Sequence, residues 1–107
     1  MITPSAPPNP EEAHARFLKA ELDLGFTFTS IASQRYETGH KESAGKSMMN
    51  AEKAYQTVSR FLSDPKHTKY LTNAEIHELT AELERLREKI AQLERLRAPH
   101  TATGNTS

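Results

Sequence analysis

Apolar residues recur at helical spacing in three stretches of the chain, and turn-forming residues separate them. In the first stretch, Phe17, Leu18, Leu22, Leu24, Phe28, Ile31, Ala32 and Tyr36 form a broad stripe, the mark of an amphipathic helix. Its start is written at Asn9-Pro10-Glu11-Glu12. Asn9 can cap the first turn, Pro10 stands where a missing N–H costs nothing, and Glu12 has capping-box spacing. The segment Gly25-Phe26-Thr27-Phe28-Thr29 alternates as a strand does. A lone strand would have nothing to pair with, so the pattern predicts one helix over 10–38, bent or interrupted at Gly25.

Thr38-Gly39-His40 makes a turn, and a second helix is expected over 41–62. Its inward face reads Ala44, Met48, Ala51, Tyr55, Val58 and Leu62, in steps of four and three. Small residues at 44, 51 and 54 let the first helix approach closely. Together the two helices predict an antiparallel hairpin, its core containing Phe17, Leu24, Phe28, Ile31, Ala44, Met48, Ala51, Tyr55, Val58 and Leu62. Ser63-Asp64-Pro65 ends the second helix, because proline disfavours helical geometry in the residue before it. A connector follows over 64–71.

The third helix, expected over 73–97, has the clearest signals. Thr72 and Glu75 have capping-box spacing, and Leu71 and Ile76 flank them as a hydrophobic staple. Ile76, Leu79, Leu83, Leu86, Ile90 and Leu93 then form a heptad with leucine at every second core position. That pattern suits a parallel two-stranded coil. In such a dimer Glu82 would face Arg87 of the other chain and Lys89 would face Glu94, both attractively. The same stripe could instead pack back onto the hairpin as its third wall, or capture a helix of a different protein. The organisation expected is therefore all-α: a disordered tail over 1–9, the hairpin over 10–63, the connector, the heptad helix over 72–97, and a disordered tail over 98–107.

Composition narrows what such a chain can do. Of its 107 residues, 36% are apolar and 26% charged, so a monomeric core is thin and a partner could complete it. Acidic and basic residues balance at fourteen each, unlike the basic excess of a protein held by phosphate attraction. No cysteine is present, which excludes disulfides, thiolate metal sites and cysteine nucleophiles. No secretory leader or membrane-spanning run is apparent, and the expected location is cytoplasmic with no membrane partner.

Phe28, Ile31, Ala32, Gly39, Ala44, Met48 and Ala51 stand at the spacing of one tetratricopeptide repeat. Over roughly 25–58 the chain resembles that family, with Arg35 in place of its tyrosine and Gln56 in place of its closing proline. The resemblance implies a helical hairpin with a leaning towards protein binding. It does not carry over the family's peptide groove, which needs stacked repeats; the position thirty-four residues after Ala44 is Glu78, inside the heptad.

Catalytic and ligand chemistry finds little purchase. The five histidines, at 14, 40, 67, 77 and 100, lie in different segments with no ligand spacing and read as solvated surface groups. His77-Glu78 opens like a zinc-protease helix, but Ala81 stands where the second histidine belongs. Glu21 and Asp23 project to different faces, so they make no acid–base pair. No glycine-rich loop offers a phosphate cradle, and no basic helix precedes the heptad as a leucine-zipper transcription factor requires. No cofactor, metal or catalytic residue is expected, and nucleic acid is a poor fit. The expectation is a non-enzymatic interaction module that self-associates through the heptad helix as a homodimer and presents the hairpin to a protein partner. A regulator touching nucleic acid through a dimer surface, and an accessory subunit of an enzyme complex, are the alternatives.

Overall fold

A computed structural model of the chain describes the backbone of residues 10–97 and the side chains of 13–96. The expected disordered tails at 1–9 and 98–107, the Asn9 cap with its Glu12 partner, and His100 lie outside those residues. The chain is all-α, with elements α1 (Pro10–Glu37), α2 (Lys41–Ser63), α3 (Pro65–Thr68) and α4 (Asn73–Arg97). No strand occurs among the described residues.

Local chemistry accounts for each boundary. The first turn is a Schellman motif: Gly39 has φ +84°, His40 N–H donates to the Arg35 carbonyl at 2.8 Å and Gly39 N–H to that of Tyr36 at 3.2 Å. Only glycine takes that left-handed backbone without strain. Asp64, extended before Pro65, closes α2, and its carboxylate accepts the Lys66 N–H to open α3. The connector thus holds one helical turn. At α4 the capping box forms in full: Thr72 Oγ1 accepts the Glu75 N–H at 3.0 Å, and Glu75 Oε1 accepts the Thr72 N–H at 2.9 Å.

α1 and α2 make the antiparallel hairpin, and α4 lies in the channel between them. Its first half packs with Leu18, Leu22 and Val58, and its last turns pack with Ala32 and Met48. α4 therefore runs alongside α1 in the same direction, and Lys19 reaches Glu78 across the pair at 3.8 Å. The result is a three-helix bundle whose core is lined by Leu18, Met48, Leu79, Leu86 and Val58.

The expected core of α1 is corrected at two positions. Phe17 and Leu24 are not in the core; they are 41% and 47% exposed. The buried line runs instead through Ala15, Leu18, Leu22, Gly25, Thr29 and Ala32, in steps of three and four. Two of its positions are a glycine and a threonine, so hydrophobicity alone points to the neighbouring line. The single helix expected here is continuous from Pro10 to Glu37, so Gly25 does not interrupt it. A Cβ on Gly25 would lie 2.6 Å from Leu86 Cδ2 and 3.4 Å from Ala54 Cβ. The glycine is there because three helices meet at that level. Thr29 is buried at 2% exposure, and its hydroxyl donates to the Phe26 carbonyl at 2.7 Å, so it leaves no unsatisfied donor in the core.

Candidate interaction surface

The heptad stripe of α4 lies on the hairpin. Leu79, Leu86 and Leu93 are 1%, 0% and 5% exposed, and Ile76, Leu83 and Ile90 pack half-buried against the same core. Those three leucines could meet a second chain only by leaving the hairpin. The four flanking charges are not gathered at one seam. Glu82 pairs with Arg85 in its own helix, and Arg87 donates to Glu84 at 2.9 and 3.1 Å. That hydrogen bond and the Glu84 charge raise the Arg87 pKa further above its ordinary value, which leaves an already permanent cation unchanged. Lys89 lies beside a shallow groove between α1 and α4 that also involves Ser30, Gln34, Gln92 and Leu96, and Glu94 is half-buried on α4.

Two surface regions emerge from the packing. At the end of the bundle where α1 starts, His14 stacks on Tyr70 at 4.5 Å and His67 stacks on Phe61 at 4.2 Å. The two imidazoles are 5.6 Å apart, and Phe61 also meets Phe17 at 5.2 Å. His67 is held by α3, with Nε2 3.8 Å from the Asp64 carboxylate. His14 and His67 are thus packed groups rather than freely solvated ones. Nothing in the local sequence signals the pairing, because it is made by the chain returning through the connector. Chemically the cluster offers aromatic faces and imidazoles without a nucleophile. Among the described residues no group of three His, Cys, Asp or Glu could hold a metal ion.

The second region is the face of the hairpin turned away from α4. There Phe17 and Leu24 stand exposed, seven residues apart on one line of α1. No described helix is long and apolar enough to cross a membrane. Comparison with protein families, with curated proteins and with solved structures finds no match to this chain.

Proposed function

We propose that the chain is a non-enzymatic protein–protein interaction module: a three-helix bundle in which α4 braces the hairpin and the opposite hairpin face does the docking. One observation carries this. The large apolar side chains Phe17 and Leu24 are left outside a core that had Gly25 and Thr29 in their place. Contiguous apolar surface left outside a core marks contact sites, and Phe17 and Leu24 stand seven residues apart on one line of α1. The α4 heptad serves the bundle, so self-association through it takes the form of exchange, each chain's α4 lying on the other's hairpin with the same contacts.

The size of the protein in native extract tests the proposal, with light scattering on the purified chain beside it. A complex in extract is expected. A concentration-dependent mass that Leu24→Asp abolishes assigns docking to the hairpin face; one that Leu24→Asp leaves intact points to exchange of α4. A chain that elutes from extract as a monomer overturns the proposal.

A further inference from the structure

The outer hairpin face carries a periodic pattern that the two helices make jointly. Along α1, Phe17, Leu24 and Ile31 follow one another at intervals of seven; along α2, Lys46, Lys53 and Arg60 do the same. Seven residues are nearly two turns, so each set forms a row, with members about 10.5 Å apart. The cross-links between the helices fix how the rows align. Phe17 meets Phe61, the neighbour of Arg60. Gly25, the neighbour of Leu24, abuts Ala54, the neighbour of Lys53. Arg35, one turn beyond Ile31, donates to Ser43, one turn before Lys46.

The antiparallel hairpin therefore presents two full rungs, Phe17 with Arg60 and Leu24 with Lys53; Ile31, level with Lys46, borders the groove between α1 and α4 that Lys89, Gln92 and Leu96 also line. Phe17 and Leu24 are exposed, Ile31 is half-buried, and all three cations are exposed. None of the three cations makes an ion pair among the described residues. Between the rows α2 supplies the short side chains of Asn50 and Thr57. The face thus has an apolar edge and a basic edge.

Resting on the proposal that the chain is an interaction module, we infer that this face docks an amphipathic helix of another protein, apolar at heptad spacing and acidic along one flank. The rung repeat matches the 3.5-residue period at which a helix presents a straight seam to a neighbour. The three cations span about 21 Å, the length of roughly fourteen helical residues. The basic edge supplies what burial alone does not, a preference for one charge and one placement of the incoming helix. A second copy of this chain docked through the same face would set two basic rows against each other.

The test uses the full chain and three probes: a three-heptad peptide with leucine at its core positions and glutamate on its flanks, the same peptide with lysine on its flanks, and vesicles containing phosphatidylserine. Fluorescence anisotropy should show binding of the glutamate peptide and not of the lysine peptide. Reversing the basic edge (K46E, K53E and R60E together) should weaken binding at least tenfold, on the order expected for three rim charges. Leu24→Asp should do the same, and circular dichroism should show both variants folded. Equal binding of the two peptides, an unchanged affinity in the folded charge-reversed variant, or binding to vesicles alone overturns the inference. So does no binding of either peptide; a complex in extract would then still stand as evidence of an interaction module with a different kind of partner.

Discussion

The two faces of the hairpin share a period and differ in side-chain size. Facing α4, α1 places Gly25, Thr29 and Ala32 on the seven-residue repeat, and α2 places Ala44, Ala51 and Ala54 nearby; most of these are buried outright. Facing away from α4, the same helices place Phe17, Leu24, Lys53 and Arg60. The small residues make the channel into which the α4 leucines insert. The large ones have no such channel and stay at the surface. In a bundle this small, burial follows from which face lets a neighbouring backbone come close, and hydrophobicity decides only what fills the remaining space.

The strongest way to break that comparison is to truncate one large side chain on each face. Leu86, fully buried at the junction of three helices, should cost about 3 kcal/mol when changed to alanine, from lost transfer energy and the cavity left behind. That is a large fraction of the roughly 5–10 kcal/mol such a domain has. Leu24→Ala should cost under about 0.5 kcal/mol. Urea midpoints measure both, and comparable losses would mean that the outer face is as much core as the inner one.

A smaller effect sharpens the comparison, because its sign is expected to depend on the neighbour. Gly25→Ala improves helix propensity by about 1 kcal/mol. It also drives a methyl to 2.6 Å from Leu86 Cδ2, where overpacking costs about 1–3 kcal/mol. The net expectation is a loss of about 1 kcal/mol. In the Leu86→Ala background the clash is gone, and the same substitution should stabilise. A double-mutant cycle with no coupling would show that Gly25 is not where the helices meet.

Thr72→Ala comes next. It removes the hydroxyl that accepts the Glu75 N–H while the backbone N–H at 72 still donates to Glu75, a loss of about 1 kcal/mol. Thr72→Ser should recover most of it. A full loss with serine would place the effect in the methyl group rather than in the cap.

Those signals were legible because they are local. The Thr72–Glu75 box, the Gly39 turn, the Asp64-Pro65 stop and the α4 heptad each act over a few residues, and the bounds of α4 follow from them. The α1 register was not legible by hydrophobicity. Its buried line passes through Gly25 and Thr29, whose place in the core depends on Leu86 and Ala54, residues distant in the sequence. The histidine–aromatic end was invisible for the same reason, since His14 and His67 meet only once the connector has folded back. The outer ladder sits between these cases. Each row can be read from a spacing of seven, but pairing them needs the alignment that Phe17–Phe61 and Arg35–Ser43 provide.

The smallest expected effect bears on what the outer face is for. Lys53 is exposed and makes no ion pair among the described residues, so Lys53→Ala should change stability by less than about 0.5 kcal/mol, at low and high salt alike. Lys19 is the control, because its 3.8 Å contact to Glu78 joins α1 to α4. With both side chains more than half exposed, that pair should contribute at most a few tenths of a kcal/mol, and the contribution should fade as salt rises. Urea midpoints at two ionic strengths separate the two lysines. A salt-dependent loss in Lys53→Ala would show that the basic edge steadies the bundle itself. The expected flat response leaves the three-cation row without a structural duty inside the chain, and that is the condition under which a partner is the reason for its seven-residue spacing.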